Sequence, residues 1–206
     1  MFALVLLLIL NFAISWANAS SCGRYWSESK ITGGFFRFNV IIGYIMAIAG
    51  FTMVYGSILL LLLPYIVPLI PQLQDIDLTL LMQLTSDLLY VLIAGTVIPT
   101  GFVIWFQSLA TFWKRKTLGN FATAGYNTYA QIRNTISAYR EMPSAIERIA
   151  ESLFGGSRKS KKKSDSTLIL VAIFVIILAL LSGYFTASSI MKKADRKHEL
   201  FWLEHH

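Results

Sequence analysis

The sequence predicts an all-α, polytopic integral membrane protein with about four transmembrane helices, a cytoplasmic amphipathic helical region and a short apolar outer segment. Hydrophobic residues make up 55% of the 206 residues and charged residues only 14%, well below the quarter that is usual in soluble domains. Apolar runs of about 20 residues, the length that crosses a bilayer as a helix, recur along the chain. Residues 114–166 contain 11 Lys/Arg and four Asp/Glu, which equals the +7 net charge of the whole chain.

The first span is placed near residues 1–19, within a membrane domain that extends over residues 1–113. Its apolar run has no basic residues before it, so we expect it to be retained and not removed as a signal peptide. Asn11, Ser15 and Asn18 recur four and three residues apart, with Cys22 four further on, and therefore share one stripe of a helix. This stripe fits either hydrogen bonding between helices or the polar lining of a pore.

The apolar stretch 38–113 is divided by the basic residues at its two ends. Counting inward from Arg37 and from Lys114 predicts spans near residues 38–62 and 89–113, with residues 63–88 as the outer segment. Pro64, Pro68 and Pro71 oppose a continuous helix there, so we expect at most a short interfacial helix over residues 77–88.

Acidic residues are the candidate functional groups of this outer segment. Asp75, Asp77 and Asp87 lie in it without any Lys or Arg, and they would attract cations at the outer mouth of a pore. If residues 78–98 were instead the span, Asp87 would lie inside the membrane and would be a functional candidate by default.

Residues 114–166 form the predicted cytoplasmic helical region and linker. Apolar or small residues recur alternately four and three apart, at Gly125, Tyr129, Ile132, Ile136, Tyr139, Pro143, Ile146, Ala150 and Leu153. Pro143 and the capping-box spacing of Ser144 and Glu147 predict two helices, near residues 118–141 and 145–154. We expect this pair to cover the inner ends of the spans; a membrane-surface helix and a docking site for a protein partner are the alternatives.

Basic residues at both ends of this region are candidates for binding lipid headgroups. They are Lys114, Arg115, Lys116, Arg158, Lys159, Lys161, Lys162 and Lys163. Because such residues flank apolar spans, the bilayer and its anionic lipids are the expected partners, and nucleic acid is disfavoured.

The fourth span is placed at residues 167–191 and is followed by a basic tail, residues 192–202. Residues 203–206 resemble the start of an affinity tag. The charge rule for membrane proteins then predicts a multi-pass protein of the cell (plasma or inner) membrane, with the basic loop in the cytoplasm and both termini outside. This orientation is opposed by the basic residues of the tail, which are Lys192, Lys193, Arg196 and Lys197. Because the loop at residues 114–166 contains more basic residues than the tail, we assign the cytoplasmic side to the loop.

No motif for catalysis, metal or nucleotide binding occurs, so we predict no catalytic residue, metal or cofactor. The preferred hypothesis is a homo-oligomeric membrane channel or transport component with a polar path lined by the first helix. The alternative is a non-transporting scaffold or assembly protein that binds a partner or anionic lipid through its basic cytoplasmic helices. A lipid-processing membrane enzyme is a second alternative, in which Arg24, Glu28, Lys30 and Asp87 could serve, although their spacing matches no known chemistry.

Overall fold

Five α-helices and two short 3₁₀ helices make up the residues that the computed structural model describes, which are 2–32, 35–154 and 162–205. The α-helices are α1 (Phe2–Thr32), α2 (Phe35–Ile66), α3 (Leu78–Lys114), α4 (Leu118–Phe154) and α5 (Lys162–His205). The 3₁₀ helices, Val67–Leu69 and Pro71–Leu73, connect α2 to α3. The prediction of an all-helical protein is confirmed.

Four segments are long and apolar enough to cross a membrane, as expected from the sequence. They are Val5–Ser27, Val40–Leu69, Leu78–Lys114 and Ser166–Phe201. The first, third and fourth belong to α1, α3 and α5, and the second covers most of α2 and the 3₁₀ helix that follows it. α4 is as long as α3, but its charged and polar residues keep it outside this group.

The chain divides into two packing units, and the long helices α2 and α5 contribute to both. Unit 1 comprises Met1–Ser57 and Leu178–His206, and unit 2 comprises Ile58–Ile177.

Small residues allow the three helices of unit 1 to approach closely. Its core contains Ala19, Ala47, Phe51, Ala187 and Ile190, all nearly inaccessible to solvent. A Cβ atom added to Gly183 of α5 would lie 2.8 Å from the backbone nitrogen of Thr52 in α2. Glycine at this position therefore sets the distance between α2 and α5, as small residues do in membrane helix pairs.

The contacts within unit 1 fix the directions of its helices. α1 and α2 are antiparallel, because Ser15 faces Gly50 whereas Cys22 faces Gly43. α1 and α5 are parallel, because Trp16 lines a groove with Phe185 whereas Gly23 lies against Met191 and Ala194. The C-terminal ends of α1 and α5 thus lie together. The predicted topology, with both termini outside, instead puts the end of the first span and the basic tail on opposite sides of the membrane, and this point of the prediction is corrected. The parallel direction of α1 and α5 follows from the contacts between the two helices, whereas the charge rule considers only the number of basic residues in each loop.

Unit 2 is built around the connection from α2 to α3. Its core contains the following side chains from α2, the connection, α3 and α5: Leu63, Val67, Ile76, Leu81, Leu84, Leu168, Ala172 and Val175. The Asp77 carboxylate caps α3 by accepting hydrogen bonds from the backbone N–H groups of Thr79 and Leu80, at 3.0 and 3.1 Å. The separate interfacial helix expected over residues 77–88 is wrong: these residues are the first turns of α3, because burial of Leu81 and Leu84 holds them in the core.

α4 returns along α3 in the antiparallel direction. Its C-terminal half pairs with the start of α3, since Arg148 contacts Asp87, and its N-terminal half pairs with the end of α3, since Thr128 contacts Trp105. The predicted break at Pro143 is absent, and Ser144 donates to the carbonyl of Glu141 at 2.9 Å instead of capping a second helix. Ala138 and Ala145 are buried on either side of Pro143, so both halves of α4 are packed across the proline.

Candidate functional site

The described residues contain one ion pair between helices in unit 2, which joins Asp87 of α3 to Arg148 of α4. Nε and Nη2 of Arg148 donate to the two carboxylate oxygens of Asp87 at 2.7 and 2.6 Å. This two-bond geometry is the strongest arrangement open to a guanidinium and a carboxylate. The Asp87 side chain is 12% exposed and that of Arg148 is 42% exposed, so the pair lies at the edge of the core.

Polar contacts continue along the seam between α3 and α4. The indole N–H of Trp105 donates to the Thr128 hydroxyl at 2.8 Å. The buried amide of Gln131 donates to the carbonyl of Ile98 at 3.2 Å, and it fits there because Gly101 has no side chain. These contacts fix the register of α4 on α3 at several points along the two helices.

Three sectors run along α4. The sector that faces α3 contains Ala124, Gln131, Ala138 and Ala145, which are spaced seven apart and buried. The apolar residues of the predicted seven-residue pattern lie next to it and are exposed: Tyr129 is 63%, Ile132 54%, Ile136 63% and Tyr139 85% exposed. The sequence pattern thus identified an amphipathic helix, but its most apolar sector is not the one that packs within the chain.

The third sector of α4 is polar and also exposed. It contains Asn134, Ser137, Arg140, Glu141, Ser144 and Glu147. We call this set the polar sector, and we call Tyr129, Ile132, Ile136 and Tyr139 with their neighbours Leu118, Phe121 and Ile146 the outer apolar sector.

The polar stripe predicted on α1 is divided by the structure. Asn11 donates to the carbonyl of Gly50 at 3.4 Å, and Ser15, only 2% exposed, donates to the carbonyl of Asn11 at 2.7 Å. Both residues therefore lie against α2. Asn18 is exposed on the flank of α1.

The three acidic candidates do not form a cluster. Asp75 is exposed in the connection, Asp77 caps α3, and Asp87 is bound to Arg148. Within the described part of the chain no group of three His, Cys, Asp or Glu side chains could hold a metal ion.

The headgroup candidates at the turn between α3 and α4 are exposed. The backbone N–H of Arg115 donates to the carbonyl of Thr111 at 2.9 Å and so ends α3, and the ammonium of Lys116 lies 6.0 Å from the Trp113 ring centre. Lys114 occupies the last turn of α3. The candidates Arg158, Lys159 and Lys161 lie outside the described residues, as do the side chains of Lys162 and Lys163.

Among the residues weighed for a membrane enzyme, Arg24 donates to the Ser21 hydroxyl at 3.3 Å. The side chains of Glu28 and Lys30 fall outside the described part, and Asp87 belongs to unit 2.

Sequence reasoning missed Arg148 as the partner of Asp87, although a signal was present. Asp87 is the one acidic residue in α3, and it lies 28 residues before Arg115, whereas Arg148 lies 33 residues after it. In an antiparallel hairpin, residues at similar distances from the turn meet. Comparison of the chain with protein-family models, curated proteins and solved structures found no match.

Proposed function

We propose that the protein is a multi-pass membrane protein that assembles into an oligomeric channel or transport component, with the polar sector of α4 lining the path. The observation that carries this proposal is the direction of the helices. α1 and α5 are parallel in unit 1, and α4 is antiparallel to α3 in unit 2.

A chain that crosses a bilayer reverses direction at each crossing. If α1, α2 and α5 cross and α5 runs parallel to α1, the chain between α2 and α5 crosses an even number of times. α3 alone therefore does not satisfy the directions. α3 is apolar and only 11% of its most apolar window is buried by protein, which favours a position in the bilayer. α3 and α4 then cross as a pair, which gives five crossings.

The charges of α4 determine what surrounds it. Three charged residues of the polar sector, Arg140, Glu141 and Glu147, are exposed. Each would cost about 2.5–3.5 kcal/mol if it faced lipid at the bilayer centre. The polar sector must therefore face water or protein, and several copies that turn this sector inward would enclose a hydrated path.

The distribution of basic residues supports five crossings. Residues 24–37, 114–116 and 192–197, with ten Lys/Arg in all, would share one side of the membrane, and the five in residues 158–163 would lie on the other. The tail then no longer conflicts with the charge rule, and we assign the side with ten basic residues to the cytoplasm.

The path differs from the one expected at the first helix. Asn11 donates a hydrogen bond to the Gly50 carbonyl of α2, and Ser15 packs against Gly50, so both side chains are turned toward α2. This supports the structural interpretation of the stripe over the pore lining. The scaffold hypothesis remains the second candidate, because the exposed outer apolar sector of α4 is suited to a protein partner.

Labelling of single cysteines distinguishes five crossings from four. In a Cys22→Ala background we expect cysteines at Lys116 and Lys197 to react from one side of the membrane, and a cysteine at Gln74 to react only from the other. Four crossings require Gln74 and Lys197 to share a side. Reaction of both from the same side of sealed vesicles would contradict the proposal.

Flux through liposomes tests the lining with two matched substitutions. Asn134→Leu places an apolar group in the polar sector of every copy and is expected to reduce ion flux at least about tenfold by drying the path. Asn18→Leu makes the same change at an exposed site on α1 and is expected to leave flux within about twofold of the unmodified protein, since that site lies outside the proposed path. The oligomer size of both variants is measured by light scattering in mild detergent. A fall in flux with Asn18→Leu alone would return the path to α1, and an intact oligomer without flux in the unmodified protein would favour the scaffold.

A further inference from the structure

A groove between α1 and α5 in unit 1 combines apolar walls with a cationic end. Its volume is about 570 Å³, and Trp16, Phe185, Lys193 and Lys197 are among the residues that line it. A second cavity of about 400 Å³ shares Ser20, Ala194 and Lys197 with the groove and adds Arg24 and His198. These volumes are in the range of sites that hold a ligand of moderate size.

The parallel directions of α1 and α5 create this polarity. Trp16, Ser20 and Arg24 follow one another four residues apart on α1. Phe185, Ser189, Lys193 and Lys197 do the same on α5. Residues four apart lie on one helix face, so both walls change from aromatic through hydroxyl to cationic in the same direction. If the helices were antiparallel, the aromatic end of one would face the cationic end of the other.

We propose that this groove binds an anionic phospholipid, with its phosphate against Arg24, Lys193 and Lys197 and an acyl chain along Trp16 and Phe185. Guanidinium and ammonium groups are the usual partners of phosphate oxygens. Trp16 is 48% and Phe185 64% exposed, which leaves apolar surface for the acyl chain. Among the described residues that line the groove and its neighbouring cavity there is no Asp or Glu.

The opposite side of α5 offers a matched control. Lys192 and Asp195 line a separate cavity with Trp26 and Tyr44 of unit 1, and Arg196 is exposed outside the groove. Lys192→Gln/Arg196→Gln therefore removes the same charge from the same stretch of α5 as Lys193→Gln/Lys197→Gln, without changing the groove.

Native mass spectrometry of the full chain in detergent tests the proposal by titration with phosphatidylglycerol. We expect Lys193→Gln/Lys197→Gln to weaken binding roughly tenfold or more, because each charge near an anionic headgroup contributes strongly. The control double variant is expected to bind within about twofold of the unmodified chain, because its two charges lie outside the groove. All substitutions are at exposed side chains, so folding is expected to persist, and circular dichroism checks it.

Two further titrations separate the possible sources of phosphate. Phosphatidylcholine at the same concentration is expected to bind more weakly than phosphatidylglycerol, and inorganic phosphate is expected not to displace the bound lipid. Equal losses in both double variants, undiminished binding by the groove variant, or displacement of the lipid by inorganic phosphate would each overturn the assignment of a lipid site.

Discussion

Replacement of Asp87 by alanine is expected to lower the free energy of unfolding by about 2–3 kcal/mol. The change leaves the Arg148 guanidinium without its carboxylate at the edge of the core. Removal of one partner from a fully buried pair costs about 3–5 kcal/mol, and the 42% exposure of Arg148 places this pair below that range. SDS-induced unfolding in mixed micelles, followed by circular dichroism, measures the loss.

A double-mutant cycle attributes this loss to the pair. Asp87→Ala/Arg148→Ala is expected to be less destabilised than the sum of the two single variants, because neither partner is then left alone. Asp75→Ala serves as the control, since Asp75 is exposed in the connection, and its effect is expected to stay within about 0.5 kcal/mol. If Asp87→Ala cost no more than Asp75→Ala, the pair would have no structural role.

Substitution of Gly183 by alanine is expected to destabilise the protein by about 1–3 kcal/mol, the usual cost of overpacking. The added Cβ would lie 2.8 Å from the Thr52 backbone nitrogen and 3.1 Å from the Ile48 carbonyl oxygen. Backbone atoms cannot rotate away as a side chain does, so α2 and α5 would have to separate. The temperature at which the variant loses its helical signal in detergent reports the effect.

Gly95 provides a control with the opposite expected sign. It lies within α3, and an added Cβ would meet nothing within 4 Å. Gly95→Ala is therefore expected to leave stability unchanged or to raise it by up to about 1 kcal/mol, because alanine favours a helix more than glycine does. Equal destabilisation by both substitutions would show that the close approach at Gly183 is not what matters.

The helices could be predicted from the sequence because their signals are local. Long apolar runs define α1, α2, α3 and α5, and the seven-residue pattern defines α4. The start of α3 could not be predicted from local signals. Pro64, Pro68 and Pro71 indicate an interruption between helices, whereas the place where the next helix begins depends on the single capping residue Asp77. Pro143 predicts a helix break that the structure does not have, since packing on both sides of a proline can maintain a helix.

The candidate site depended on contacts between distant parts of the chain and was harder to predict. The apolar residues of α4 predict that the outer apolar sector packs against another helix. In the structure, the face of α4 that packs against α3 instead contains small residues such as Ala138 and Ala145, which allow close approach. Similarly, the sequence of the stripe that contains Asn11 and Ser15 fits a pore lining as well as a contact between helices. Only the position of Gly50 opposite these residues distinguishes the two. Small residues carry little weight in a hydrophobicity pattern, although they determine which helices meet.

The antiparallel pairing of α3 and α4 has a consequence for biosynthesis. In the proposed five-crossing arrangement, the Arg and Glu residues of α4 oppose its entry into the bilayer alone, because each such residue opposes insertion by a few kcal/mol. In the five-crossing arrangement it inserts only after α3 is complete, as the second arm of a helical hairpin that Asp87 and Arg148 join near its open end. A nascent chain halted before Arg148 is synthesised would then hold α4 outside the lipid, and the final orientation of α5 would be decided late in translation.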